Sequence, residues 1–258
     1  MKIVVAYKWA ANPQDASVGP DGTIDWGRAK ASFSEYDPVA AEVGRRLADA
    51  TGAELIGITV GGKEVGSSLA RKGALSRGFD RAVILADDSM GPIYTLKTAA
   101  YLAAIVRHIG DVDLVLTGDS SVDVGAKLVP TALAGQLRWP CLAEVTSVTG
   151  TAGNLTIERA YAGGTQVLQA SGPVVLAVAT DAAVAPVPGM KDILAAAKKP
   201  VEEVTLAGLD LPAFASTLET TGRAKPQLKA RKGQLIDGSD PDAAAAALVT
   251  ALRGAGTI

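Results

Sequence analysis

Aromatic side chains make up only 4% of this 258-residue chain, which also holds one cysteine and one histidine. A single cysteine, Cys141, excludes a disulfide scaffold and a cysteine-based zinc site. Lying between Pro140 and Leu142 with no histidine near it in sequence, Cys141 reads as a small core residue. His108, just before Ile109-Gly110, reads as a helix-terminal surface residue. The formal net charge of −2 shows no basic excess, so a general nucleic-acid binder is not expected. The longest helical apolar stretch, about Ala99 to Val106, is too short to cross a bilayer, and no membrane insertion is expected. Met1-Lys2-Ile3-Val4-Val5 reads directly into a strand, so neither a signal nor a transit peptide is expected. A cytoplasmic protein is the plain expectation. There is no GxxxxGK[ST] and no GxGxxG after the first strand. Asp87-Asp88 reads as a solvated turn rather than a metal site. Neither catalytic residues nor a metal centre are expected.

What remains is a chain that is 48% hydrophobic, whose core Ala, Val and Leu must build. Short apolar runs alternate with helical stretches of similar spacing. Lys2 to Tyr7 is a buried strand, and Ala11 to Arg28 a polar loop with a hairpin near Pro20-Asp21-Gly22. Asp37-Pro38 starts a helix, with Asp as cap and Pro in the first turn, and Gly52 ends it. Glu54 to Val60 is a strand, Val65 to Arg77 a helix closed by Gly78, and Arg81 to Ala86 a strand. Thr95 to Ile109 is a helix closed by Gly110. This alternation predicts an α/β fold with a doubly wound parallel sheet. After Pro140 the rhythm changes to an antiparallel add-on over Glu144 to Val148, Leu155 to Ala160 and Gln166 to Gln169. Pro173 to Thr180 then returns to a buried strand. From Ala182 on, only Met190 to Ala197 and Asp242 to Leu252 read as helices. The expected organisation is a nucleotide-binding domain over 1–181 and an extended C-terminal arm over 182–258.

The stretch Asp111 to Pro140 is the most informative. Val112 to Thr117 reads as a strand buried on both faces. A loop of small and acidic residues follows, Gly118 to Gly125, and then a helix from Gly125 or Ala126 to about Arg138. Strand, small-residue loop and helix start together suit a phosphate. In an open parallel sheet such a ligand lies beyond the strand ends where the strand order reverses. If the first and fourth strands are neighbours, Ala6 to Trp9 faces Gly118 to Asp123 there. Glu158-Arg159 reads either as a cross-strand ion pair or as a charge presented to a cofactor or partner.

Several segments together resemble the β subunit of electron transfer flavoprotein, over essentially the whole chain. They are Val5-Ala6-Tyr7-Lys8, Tyr36-Asp37 before the helix containing Glu42, and Lys72 to Arg81 (KGALSRGFDR). Asp113 to Gly118 (DLVLTG), Glu158-Arg159 with Gly163-Gly164, and Ala196 to Glu202 (AAKKPVE) complete them. The resemblance implies an adenine-nucleotide α-hydrolase-like fold and a non-catalytic electron carrier. Such a subunit forms a heterodimer with an α subunit that holds most of the redox FAD, and accepts electrons from flavin dehydrogenases. It implies AMP at the switch point, or a second FAD in flavin-bifurcating relatives. Carried over by position, the nucleotide meets Ala6, Lys8, Ser34, Tyr36, Asp37, Val60, Gly118, Ser120, Ser121, Val122, Asp123, Val124, Gly125 and Ala126. Lys127 is placed to reach a phosphate.

The chain departs from the family pattern at three places. Trp9-Ala10-Ala11-Asn12 stands for Gln-Val-Pro-Asp, Ser34-Glu35 for Asn-Pro, and the phosphate loop is one residue shorter. In the family a loop before the Lys-Lys pair carries an apolar anchor for the partner dehydrogenase. Counting back from Lys198-Lys199 puts Met190 there, with Ile193 and Leu194 beside it. The rival reading from the fold class is a stand-alone AMP- or ATP-binding stress-type module.

Overall fold

The computed structural model describes residues 1–90, 94–212, 221 and 230–258. The first strand, β1 (Lys2–Ala6), leads into two short ribbons. In these, β2 (Trp9–Ala11) pairs with β5 (Ala31–Phe33), and β3 (Ser17–Val18) with β4 (Ile24–Asp25). Helix α1 (Asp37–Thr51) is followed by β6 (Glu54–Gly61), α2 (Ser68–Leu75), β7 (Arg81–Ala86), α3 (Thr95–Ile109) and β8 (Leu114–Gly118). Then come α4 (Val129–Leu137), β9 (Cys141–Thr151), β10 (Asn154–Tyr161), β11 (Gly164–Ala170) and β12 (Val174–Val178). Last are α5 (Met190–Ala196), β13 (Val201–Val204) and α6 (Pro241–Gly254). Two compact units result, Met1–Thr221 and Gly222–Ile258. In the second, Asp240 caps α6 by accepting from the amides of Asp242 and Ala243.

Nine strands form one sheet in the order β11-β10-β9-β12-β8-β1-β6-β7-β13. Every pair from β9 to β13 is parallel, and β9–β10 and β10–β11 are antiparallel. Side chains on a strand alternate between faces, so β1 serves two cores. Ile3 and Val5 pack with Leu55, Leu116 and α1's Val43 and Leu47, while Val4 packs with Ile56, Val115 and α3's Leu102 and Val106. Helices α1 and α2 therefore cover one face, and α3 and α4 the other. Fully burying each such aliphatic side chain is worth about 1.5–3 kcal/mol, which is how a chain poor in aromatics closes a sheet this wide.

The few rings it has are concentrated. Tyr7 stacks on Phe33 at 4.9 Å and on Phe79 at 5.7 Å, and the Arg77 guanidinium lies 4.8 Å above Phe33. Gly57 of β6 leaves room for Phe79, whose ring is 2.6 Å from where a Cβ would stand. Gly73 of α2 likewise admits the Trp9 ring at 2.9 Å. Gly78, at φ 95°, turns the chain after α2. Asp80 then accepts from the Leu55 amide at 2.8 Å and from Arg45 at 3.1 Å. Lys72 to Arg81 is thus a packing wedge between α2 and β7.

Three local readings change. The helix expected over Val65 to Arg77 is a short turn, Lys63–Gly66, followed by α2, because Ser67 caps the helix through the Ala70 amide. The helix expected from Gly125 or Ala126 begins at Val129, because Gly125 (φ 64°) and Lys127 (φ 54°) are left-handed and Pro130 suits a first turn. Past Ala182, β13 joins the sheet edge along β7. Lys199 fastens this segment by donating to the carbonyls of Leu75 (3.0 Å) and Phe79 (2.6 Å) at the end of α2.

Candidate functional site at the strand switch point

From β1 the chain builds outward through β6 and β7, then returns to place β8 on the other side of β1. The strand order therefore reverses between Ala6 and Gly118, whose strands pair with Ala6 opposite Thr117. Beyond these carboxyl ends lies a cavity of about 210 Å³. Its walls come from the strand ends (Ala6, Tyr7, Lys8, Val60, Thr117), α1 (Asp37) and α3 (Tyr94, Thr95, Thr98, Leu102). The loop after β8 and the start of α4 close it, with Gly118, Asp119, Ser120, Ser121, Val124, Ala126, Lys127, Leu128, Val129 and Pro130.

Asp37 organises the junction. It begins α1, is 5% exposed, and accepts from the Lys8 amide at 2.7 Å and from the Gly118 amide. One carboxyl thus ties the ends of β1 and β8 to the start of α1, where the helix dipole favours negative charge. Burial nonetheless raises its pKa from 3.8 to about 7, although both amides and the nearby cations Lys8 and Arg77 pull the other way. Gly118 fits this clamp. A Cβ on it would stand 2.7 Å from Asp37 Oδ1 and 2.9 Å from the Tyr36 backbone, so the glycine serves the turn's packing.

Two acids of the loop are each paired with a lysine, one just past β1 and one within the loop. Lys8 Nζ meets Asp123 at 2.6 Å, and Lys127 Nζ meets Asp119 Oδ2 at 2.8 Å. Burial alone would raise the Asp123 carboxyl, but the hydrogen bond and charge of Lys8 hold it below the usual range. The hydrogen bond that Lys127 donates to Asp119, with that carboxylate's charge, holds the ammonium above its ordinary value. Three buried oxygens of residues that contribute to the lining have no hydrogen-bond partner among the described residues: Thr117 Oγ1, Asp119 Oδ1 and the Oη of Tyr7, whose ring stacks on Phe33 and Phe79. Unsatisfied buried groups of this kind are uncommon and call for a ligand or water.

Of the residues carried over from the family, Ala6, Lys8, Asp37, Val60, Gly118, Ser120, Ser121, Val124, Ala126 and Lys127 border the cavity. Ser34, Tyr36, Val122, Asp123 and Gly125 lie outside its lining. Ser34 is buried beneath the Asp37 turn, Asp123 braces Lys8, and Gly125 closes the loop on the Ser121 carbonyl at 3.0 Å. Tyr7 and Asp119 fall within the facing stretches Ala6 to Trp9 and Gly118 to Asp123 without a role of their own in the sequence, and Thr117 lies outside both. Thr117, a polar residue at the end of an apolar run, was the available signal. The amides of Lys8 and Gly118 already serve Asp37, and drawing Lys127 away would strand the buried Asp119 carboxylate.

The other candidates lie elsewhere. His108 ends α3 at the far end from the cavity and meets Glu202 at 2.6 Å. Cys141 begins β9, at the amino edge of the parallel strands. Asp87 and Asp88 accept from the amides of Ser89 and Lys63, both at 2.8 Å, and no cluster able to hold a metal occurs among the described residues. Glu158 and Arg159 are in no ion pair among the described residues. They are consecutive on β10 where its register with β9 shifts, and Arg159 instead lies 5.1 Å from the Tyr161 ring. On α5, Met190 (72% exposed) and Leu194 face solvent, with Ile193 partly covered. No helix among the described residues is long and apolar enough to cross a membrane. Against known families, a model described as the electron transfer flavoprotein domain matches residues 21–209.

Proposed function

The chain belongs to the electron transfer flavoprotein family, and from that premise we propose that it is the β-type subunit of an electron carrier. In this reading it is a cytoplasmic, non-catalytic protein that pairs with an α-type subunit holding most of the FAD. Electrons then pass from flavin dehydrogenases through that flavin to a downstream acceptor. The flavin supplies the redox chemistry; this chain supplies positioning and surface. The observation that carries the reading is the family match, which spans Asp37, the loop after β8 and every strand of the nine-stranded sheet except β1.

The test is coexpression with a candidate α-type subunit, followed by gel filtration and flavin quantitation. A yellow 1:1 heterodimer is the expected result. A chain that stays colourless and unpaired while binding ATP would be the stress-type module instead.

We place dehydrogenase docking on the segment around α5. Val184, Val187, Met190 and Leu194 are 89%, 91%, 72% and 65% exposed, a run of apolar side chains with no cover of its own. Methionine suits a surface that must fit several partners. Met190→Ala should slow electron transfer from a dehydrogenase about tenfold, since burying one such side chain is worth roughly 1.5–3 kcal/mol. Flavin content and melting temperature should stay as in the parent. A variant that melts earlier but keeps its transfer rate would place Met190 in the protein's own packing.

A further inference from the structure

The two edges of the nine-stranded sheet are finished differently. At one end β13 is four residues long and carries Glu202 and Glu203, tied to His108 at 2.6 Å and to Arg71 respectively. Short strands and charged side chains are how proteins keep an edge from pairing with other chains. At the other end β11 is seven residues long, GTQVLQA, with no charged residue and no proline. Its inner side pairs with β10 and, among the described residues, no strand pairs with its outer side. Alternate residues of such an edge leave their backbone N–H and C=O groups without ladder partners. The nearest irregularity, the register shift at Glu158 and Arg159, lies on the β9 side of β10 and leaves the β10–β11 register unbroken. Val167, at the middle of the strand, is 60% exposed.

We infer that β11 is an interaction edge whose partner is the β11 of a second copy of this chain, paired antiparallel about a two-fold axis through Val167. Antiparallel pairing of a strand with itself is isologous, so it closes at two chains. Full overlap sets Gly164 opposite Ala170, Thr165 opposite Gln169, Gln166 opposite Leu168 and Val167 opposite itself. No charge faces a like charge in this register, and the two exposed valines cover each other. Thr165, Val167 and Gln169 share one face of the sheet. On that face Gln169 already donates to Thr156 of β10 at 3.0 Å, and Thr156 stands beside Thr149 of β9. The second copy's Thr165 extends this row of hydroxyl and amide side chains by one step, so the edge complements itself. The acid nearest the seam, Glu158, is set one strand behind Val167 in each copy. Three strand spacings put the two acids about 14 Å apart, beyond a Debye length at physiological salt. The inference goes beyond the carrier reading and needs neither a flavin nor an α-type subunit.

A single strand pair buries less than the roughly 1,200–2,000 Å² of a standard interface, so the dimer is weak and grows with concentration. Analytical ultracentrifugation of the full chain, in a series reaching about 0.3 mM, should show a rise toward twice the monomer mass. Val167→Lys sets two like charges across the axis and should weaken association about tenfold or more. Glu158, opposite Val167 on β10, can meet the new ammonium within one chain, so the melting temperature should stay as in the parent. Cross-linking in a Cys141→Ser background reads the register, and keeps the test should Val167→Lys fold poorly. Val167→Cys should oxidise to a covalent dimer, because opposed residues of an antiparallel pair stand about 4.5–5.5 Å apart. Thr165→Cys, roughly 14 Å from its counterpart in this register, should not. A parent that stays monomeric throughout, or a dimer indifferent to Val167→Lys, would overturn the inference. Equal cross-linking at 165 and 167 would overturn it as well. So would loss of the heterodimer with an α-type subunit in Val167→Lys, which would give the edge to that subunit. A chain that forms the heterodimer but stays monomeric by itself refutes only this inference.

Discussion

Two segments that both carry the family likeness are built in opposite ways. Lys72 to Arg81 spends its residues on the protein's own interior: Phe79 fills the space beside Gly57, Asp80 holds the Leu55 amide, and Arg77 lies on Phe33. Gly118 to Lys127, with the strand end before it, keeps its ions paired and leaves the Thr117 and Asp119 oxygens buried without partners. The orphaned Arg77 Nε of the first segment belongs to a guanidinium already resting on a ring, whereas the second leaves a hydroxyl and a carboxylate oxygen of two residues that border the cavity. A shared motif can therefore mark folding in one place and binding in another. What separates them is whether the polar groups find partners inside the chain.

The comparison is broken most forcefully at Phe79. Fully buried and stacked on Tyr7, it should cost about 3–5 kcal/mol when truncated to alanine, read as a lower urea midpoint at unchanged slope. A loss under about 1 kcal/mol would mean that the wedge is not a packing centre. Next in size is the clamp that joins the two regions. The Asp37 carboxyl titrates at about 7 when folded against an ordinary 3.8, so folding takes up a proton between those values. Its contribution is fully present below pH 4 and is lost as pH rises through 7, by up to about 1.4 kcal/mol per pH unit. Asp37→Asn cannot titrate, so its urea midpoint should vary less than the parent's between pH 4 and 7. Asp123, held below its usual range, works in the opposite sense at acid pH and is common to both proteins. Parallel pH profiles for parent and variant would remove Asp37 from the account.

Much of the fold was legible because its signals are local. The Asp37-Pro38 start and Gly52 stop of α1, and the whole of α3, follow from caps and apolar spacing within one element. The parts that were not legible depend on distant partners. Val201-Glu202-Glu203-Val204 has no strand pattern of its own; it pairs because β7 offers an open edge and Lys199 pins the chain to the end of α2. The late start of α4 is set by left-handed backbone at Gly125 and Lys127, and a lysine gives no warning of that. At the site, the family positions point to a loop and strand ends that border the cavity, and the structure gives several of these residues partners within the chain. Gly118 looked like room for a phosphate, yet the space over it belongs to Asp37 and Tyr36. Lys127 looked like a phosphate ligand until Asp119, eight residues earlier, took its ammonium.

The smallest effect is the sharpest test of the contrast, because it turns on a sign. Thr117 ends β8, is 4% exposed, and its hydroxyl has no partner. In the packing wedge, removing a polar side chain breaks a bond: truncating Asp80 would leave the Leu55 amide unmet. At Thr117 there is no internal bond to break. Valine keeps the volume, removes an unsatisfied oxygen and suits a strand, so Thr117→Val should leave the ligand-free chain unchanged or stabilise it by about 1 kcal/mol. A Thr117→Val chain that is less stable than the parent without ligand would show that the hydroxyl already serves the fold. The loop after β8 would then be the same kind of structure as the wedge.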